Sequence, residues 1–320
     1  MKTITLFSAK SYDKTFFDLH NNKFNLQYID ARLTAETAVL AKGSDAICVF
    51  VNDELSQKTL IILNELGINK IAFRCAGINN IDLTAAKSLG FTLMNVPAYS
   101  PEAIAEHTLG LILTLSRKYH KAYNRVKEDN FSLTGLLGFN LHGKTVGIIG
   151  TGKIGLATLK ILKGFGCKLL GHDLIKNAKA EELGVDYVDL DTLYSQADII
   201  SLHCPLTDLT HHLINKKALS LMKPGVTLIN TSRGGLLDTP AIIASLKTGH
   251  IGYLGLDVYE QEDKLFFEDR SNTIINDDVF QRLLTFPNVV ITGHQGFFTE
   301  EALTCIVQTT LSNLDKMLAS

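Results

Sequence analysis

The sequence predicts an α/β protein of two doubly wound parallel-sheet domains with a cleft between them. Three observations predict it. The first hundred residues alternate short apolar strand runs with helical stretches. At mid-chain a glycine-rich turn, Gly150-Thr151-Gly152-Lys153-Ile154-Gly155, joins an apolar run to a helical pattern. Between the two lies a proline-bounded segment, Val96-Pro97-Ala98-Tyr99-Ser100-Pro101, and a helical tail closes the chain.

Taken in order, residues 4–7, 24–29, 46–51, 70–74 and 92–95 read as strands. Helical stretches lie between them, clearest at 55–66, closed by Gly67, and at 83–89, closed by Gly90. Strand and helix in alternation argue for a parallel sheet with helices on both faces. Ser100 is a good N-cap and Pro101 a good first helical residue. A long helix is therefore expected from 101 to about 127, its apolar face carrying Ile104, Leu111, Ile112 and Leu115. Further strands are expected at 146–149, 169–173, 199–203, 226–230, 254–257 and 289–292, with a helix at 240–246 among those between them. The tail, 299–318, reads as a helix that returns to the first domain. Residues 1–99 plus 298–320 thus form one expected domain, flavodoxin-like and holding substrate; residues 100–297 form the other.

The second domain owes its expected role to the glycine turn. A buried strand, a tight turn and a helix whose first amides point at an anion make a dinucleotide site of the Rossmann type. Gly150 permits the turn, Gly152 lets a pyrophosphate approach the backbone, and Gly155 lets helix and strand pack closely. The next apolar run ends in Asp173. A carboxylate there accepts hydrogen bonds from ribose hydroxyls and repels a 2′-phosphate, so NAD is the expected cofactor rather than NADP.

Composition narrows the remaining classes. At 320 residues, with 46% hydrophobic and 20% charged residues, the chain suits a globular protein with a large core. A formal net charge of −2 gives no basic footprint, so neither nucleic acid nor a membrane surface is expected as partner. The five cysteines, Cys48, Cys75, Cys167, Cys204 and Cys305, are scattered and lack a C-x-x-C pair. That pattern fits free thiols in a reducing cytoplasm. The N-terminus alternates like a strand and lacks a signal-peptide core. His211 and His212 are adjacent, but no acidic or cysteine residue stands at ligand spacing from them in the sequence, so no metal site is expected.

Ligands of a doubly wound sheet bind beyond the carboxyl ends of its strands. Three such ends carry Asn230-Thr231-Ser232-Arg233, Asp257-Val258-Tyr259-Glu260-Gln261-Glu262 and Gly293-His294. One cation, one carboxylate and one imidazole suit hydride transfer to a 2-keto acid. A substrate carboxylate and carbonyl want a planar bidentate donor, which Arg233 supplies. The carbonyl oxygen needs a proton as hydride arrives, which His294 can give, with Glu262 orienting the ring and favouring its charged form. Singly, each has a plainer reading: a surface ion pair, a solvated acidic turn, a structural histidine. Their joint placement makes the triad.

These residues resemble a known family, the D-isomer-specific 2-hydroxyacid dehydrogenases, and within it the lactate branch. The resemblance spans essentially the whole chain. It is carried by NVPAYSPEAIAEHTLGLILTLSRK, GTGKIG with the later Asp173, HCPLT, NTSRGGLLD, LDVYEQE, TGHQGFFT and the insert FFEDRSNTIINDDVF. It implies Arg233, Glu262 and His294 as the catalytic set. It implies dinucleotide contacts at Lys153, Ile154, Asp173, Cys204, Pro205, Thr231, Ser232 and Asp257, beside Gly150, Gly152 and Gly155. For substrate it implies Ala76 and Gly77, whose amides meet the carboxylate, and Tyr99, which closes on small substrates. One departure is Gly293, where many members have proline; the substitution occurs in the lactate branch, so the role implied for His294 stands, and glycine there can loosen the loop. The activity implied is reversible NADH-dependent reduction of pyruvate to D-lactate by a homodimer or homotetramer. A related enzyme for another 2-keto acid and an NADH-sensing binding protein of the same fold are the alternatives.

Overall fold

The computed structural model describes residues 1–319. They divide into two compact units, residues 1–100 together with the C-terminal segment from 298, and residues 101–297.

The first unit runs β1 (Lys2–Leu6), α1 (Ser11–His20), β2 (Phe24–Tyr28), β3 (Ala46–Val49), α2 (Gln57–Glu65), β4 (Lys70–Phe73), α3 (Leu83–Ser88) and β5 (Thr92–Met94). Its five strands are parallel and ordered β2-β1-β3-β4-β5, the flavodoxin-like order. Val307, Leu314 and Met317 of the C-terminal helix bury themselves against Ile4, Leu6 and Phe17, so the tail completes this unit's core.

The second unit begins with α4 (Pro101–Arg117) and α5 (Tyr119–Lys127). It continues through β6 (Thr145–Ile149), α6 (Lys153–Gly164), β7 (Lys168–His172), α7 (Ala178–Glu182), β8 (Asp186–Tyr187), α8 (Leu190–Gln196) and β9 (Ile199–Leu202). Last come α9 (Lys216–Leu221), β10 (Val226–Asn230), α10 (Thr239–Lys247), β11 (Ile251–Leu256), α11 (Asp278–Leu284) and β12 (Val289–Ile291); the C-terminal helix is α12 (Glu300–Ala319). Seven parallel strands are ordered β12-β11-β10-β9-β6-β7-β8. The chain reverses direction across the sheet at β6, which makes the β6/β9 boundary the topological switch point. Both faces are covered. Leu111, Ile112 and Leu115 of α4 pack with Leu159 and Leu162 of α6 on one cluster; α8, α9, α10 and α11 supply the other.

Two elements depart from expectation. The helix after Ser100 is broken at Lys118, whose left-handed backbone (φ 54°) separates α4 from α5. The buried face stops at Ser116, and α5 has no buried residue, so no core contact extends the first helix. The two-residue edge strand β8 is too short for any periodicity to announce.

Candidate active site

Because all seven strands of the second unit are parallel, the segments that follow them emerge on one edge of the sheet. The glycine turn follows β6, Asp173 follows β7, His203 and Cys204 follow β9, Arg233 follows β10, Asp257 follows β11 and His294 follows β12. All but His203 are positions the sequence singled out.

At the switch point the turn is built to stay close and open. Gly150 has φ +94°, and a Cβ there would lie 2.5 Å from the Cys204 amide nitrogen. A Cβ on Gly155 would lie 2.0 Å from the Gly150 carbonyl oxygen, so α6 seats directly on the turn. Gly152, the N-cap of α6, has open space around it and no side-chain cap, which leaves the first amides of a 12-residue helix to an anion. This is the cradle a pyrophosphate needs. The Asp173 carboxylate is set beside it: Oδ2 accepts from the Thr151 amide (2.6 Å) and hydroxyl (3.1 Å). Lys153 and Ile154 are the first residues of α6, with Lys153 exposed.

Of the other expected cofactor contacts, several side chains bind within the protein. The Thr231 hydroxyl meets Thr108 of α4 at 2.9 Å, and Ser232 Oγ donates to the Cys204 carbonyl at 2.7 Å, tying the ends of β9 and β10 together. Burial pushes the Cys204 thiol up to about 11, so it is protonated at neutral pH. Pro205 is exposed.

His294 and Glu262 come together. The imidazole Nδ1 and Glu262 Oε1 are 2.7 Å apart, and both side chains are mostly buried. Glu262 opens a single 3-10 turn, and its Oε2 accepts from the Tyr259 amide at 2.9 Å, which fixes the carboxylate's plane. His294 itself has φ 57°, an uncommon backbone for a non-glycine residue. What holds it there is Asp257, which the loop 292–296 wraps. One carboxylate oxygen meets the Thr292 hydroxyl (2.5 Å) and the Gln295 amide (2.9 Å), and the other meets the Gly296 amide (2.8 Å). His107 of α4 adds Nε2 at 3.2 Å from Asp257 Oδ1 and 3.0 Å from Thr292 Oγ1. Burial would raise the Asp257 carboxyl, but His107, Thr292 and the Gln295 amide outweigh it and hold the group below the usual carboxylate range. Asp257 is 2% exposed, so the geometry uses its carboxylate to clamp the His294 loop.

The insert reaches the same place. Its Phe267 ring centroid lies 5.6 Å from that of His294, while Phe266 and Phe280 anchor it in the core near Tyr259. Gly293, next to His294, is not in the left-handed region and has open space around it.

Arg233 is linked to this pair through backbone. Asn230, fully buried, donates Nδ2 to the Arg233 carbonyl (2.8 Å) and accepts from the Ser232 amide (3.0 Å). A Cβ on Gly234 would sit 2.1 Å from the Tyr259 carbonyl carbon and 2.3 Å from the Glu260 nitrogen. The loop that carries Arg233 is therefore pressed on the loop that carries Glu262. Gly234→Ala should push these loops apart and lower kcat/KM by about 10-fold or more, since near-ångström misplacement of catalytic groups is costly. Steady-state kinetics beside a thermal melt check it; parental kinetics would show the contact to be slack.

Ala76, Gly77 and Tyr99 belong to the first unit. Ala76 and Gly77 follow β4, Tyr99 follows the neighbouring β5, and Asn95 Nδ2 donates to the Ala76 carbonyl at 2.7 Å. Cys75 Sγ donates to the Gly77 carbonyl, and among the described residues no acceptor takes the Ala76 or Gly77 amide. Arg74, just before them, is buried and paired with Asp13 at 3.0 Å.

Sequence reasoning did not find His107, Thr292, Asn230 or Gly234 as site residues; only the fold places them under the loops. It also missed an acidic partner for the histidine pair. His212 Nε2 lies 2.8 Å from Glu260 Oε1, 48 residues along the chain.

Residues 109–296 match the model of the D-isomer specific 2-hydroxyacid dehydrogenase NAD binding domain, which is more than half of the chain. The chain belongs to that family. It is an NAD-dependent oxidoreductase of 2-hydroxy acids. Among its relatives, a D-lactate dehydrogenase of Escherichia coli is 54% identical, the match covering 98% of this chain and 96% of that one. Among solved structures it resembles a pyruvate reductase of Chlamydomonas reinhardtii, with a TM-score of 0.94 at 41% identity over 100% and 97% of the two chains. It also resembles a D-lactate dehydrogenase of Aquifex aeolicus complexed with NAD and lactic acid, with a TM-score of 0.87 at 34% identity over 99% and 95%. NAD is the cofactor of this family, and the residues of the open glycine turn fit its pyrophosphate.

Proposed function

We propose that this dehydrogenase reduces pyruvate to D-lactate with NADH, reversibly. The observation that carries the reading is the 2.7 Å pair of His294 and Glu262 on the sheet edge that also bears the glycine turn and Arg233. Bound NADH supplies the hydride that reaches the carbonyl carbon. His294 gives the proton that the carbonyl oxygen takes up; Glu262 occupies Nδ1, which leaves Nε2 to carry it. Glu262 holds the ring in place. Arg233 binds the substrate carboxylate and polarises the carbonyl. Ala76, Gly77 and Tyr99 contact substrate. Gly150, Gly152, Lys153, Ile154, Gly155, Asp173, Cys204, Pro205, Thr231, Ser232 and Asp257 line the cofactor site, with Asp257 also clamping the catalytic loop.

The test is NADH oxidation with pyruvate beside 2-ketobutyrate, phenylpyruvate and hydroxypyruvate, with the lactate product assayed by enantiomer. Fast turnover favouring pyruvate and yielding the D-isomer is expected. Preference for a larger acid would change the substrate and keep the mechanism. Tight NADH binding without turnover would make the protein a sensor.

Cofactor choice rests on Asp173. Asp173→Ala removes the charge that repels a 2′-phosphate, so the ratio of kcat/KM for NADPH to that for NADH should rise on the order of tenfold, or ~1.4 kcal/mol. An unchanged ratio would move the discrimination elsewhere.

The working form is proposed to be a homodimer or homotetramer in the cytoplasm, built through the second unit. Helix α5 buries no side chain, and Tyr123, Phe131, Leu133 and Leu137 are 61%, 72%, 82% and 86% exposed. That much apolar surface on one stretch marks an association site. Light scattering should find an oligomer, and the double change Leu133→Asp with Leu137→Asp should shift it toward monomer. A monomeric parent would end the proposal.

A further inference from the structure

The chemistry of the active site leaves unused one cluster with a ligand set of its own. His211, His212 and Glu260 present one ligand atom each, all within 4.8 Å of one another. Consecutive residues ordinarily point apart. Here His212 takes a left-handed backbone (φ 51°), and the two imidazoles stack with centroids 3.9 Å apart. The turn is pinned at both residues: the His211 amide donates to the Thr207 carbonyl and the His212 amide to the Gly235 carbonyl, each at 2.8 Å. Glu260 is held as well, Thr239 Oγ1 donating to its Oε2 at 3.2 Å while Oε1 faces His212 Nε2 at 2.8 Å.

We propose that His211, His212 and Glu260 form a zinc site. Two ligand atoms held by one ion through bonds of about 2.1 Å lie about 3.0–3.4 Å apart, so the His212–Glu260 pair already has nearly the spacing of one coordination shell. His211 is exposed, its ligand atom lies within 4.8 Å of the other two, and its ring must swing out of the stack to close the third position. Two imidazoles and a carboxylate suit Zn²⁺; Mg²⁺ and Ca²⁺ take oxygen ligands in greater number. Three protein ligands at a half-open surface leave the fourth position to water. The hydroxyl of Thr239 orients the carboxylate from behind, as outer partners of metal ligands do.

The site spans two loops that matter elsewhere. His212 hangs on Gly235, two residues from Arg233, and Glu260 follows Tyr259, whose amide holds Glu262. Zinc therefore cross-links the loop after β9, which holds both histidines, to the loop after β11, and binds the native fold but not the unfolded chain, which stabilises the protein.

The experiment is titration of the chelator-stripped full chain with Zn²⁺ against a chromophoric competitor, with thermal melts alongside. One Zn²⁺ per chain is expected, with a higher melting midpoint that Mg²⁺ does not reproduce. His211→Ala and Glu260→Gln, each at a half-exposed or exposed position, should each weaken binding by tenfold or more. No saturable binding at one equivalent, or losses below tenfold in both variants, would show that any zinc is held by other histidines and would overturn the site. The result is independent of which keto acid the enzyme reduces.

Discussion

Replacing His294 with asparagine should lower the turnover of pyruvate reduction by about 10²–10⁴-fold while NADH binds with parental affinity. The range is that of losing a positioned general acid. Asparagine keeps a hydrogen-bonding side chain of similar reach, so the 292–296 loop, clamped by Asp257 through the Gln295 and Gly296 amides, has little cause to move. What disappears is the ring nitrogen that gives a proton to a developing alkoxide. The Glu262 carboxylate loses its partner at 2.7 Å but keeps the Tyr259 amide. Steady-state turnover and fluorescence titration of NADH separate the two effects. Turnover within tenfold of the parent would show that the proton comes from another group, and a collapse of NADH affinity would recast His294 as a structural residue.

The second large effect is at Arg233. Arg233→Lys should lower kcat/KM for pyruvate by about 10²-fold, ~2.7 kcal/mol, with KM raised and turnover lowered together. A charge-assisted hydrogen bond is worth about 1.5–3 kcal/mol, and lysine keeps the charge while losing the planar fork. The loop itself should hold, because its anchors do not involve the guanidinium's charge. Asn230 bonds the Arg233 carbonyl and the Ser232 amide, and Gly234 packs on the Tyr259–Glu260 backbone. One guanidinium nitrogen, Nη1, already donates to the Ser232 carbonyl at 2.7 Å, which leaves the rest of the fork for substrate. A KM rise with unchanged turnover would mean that Arg233 binds ground state and transition state alike. Unchanged kinetics would remove it from the site.

The contacts of the 292–296 loop bear on the glycine before His294. Gly293 has neither a left-handed backbone nor a close neighbour, so its flexibility is a property of the unfolded chain more than of the loop. The order comes from Asp257, which gathers three partners of the loop on one buried carboxylate.

By itself the sequence determined whatever is local or periodic. Apolar runs of four to six residues punctuated by glycine announced nearly every strand, and G-x-G-x-x-G announced the strand, turn and helix at the switch point of the sheet. The strand ends named Arg233, Glu262 and His294 because a parallel sheet delivers them to one edge. Only the tertiary structure decided what depends on contacts between distant segments. Nothing near Lys118 in the sequence marks the break of the helix, since the reason is that no core awaits α5. His107 lies 150 residues before Asp257, and their 3.2 Å contact exists only once α4 lies by the ends of β11 and β12. Glu260 stands 48 residues from His212, beyond any ligand spacing a motif would register. Short-range chemistry is written in the order of the residues; the pairing of side chains across loops is set by the sheet that brings those loops together.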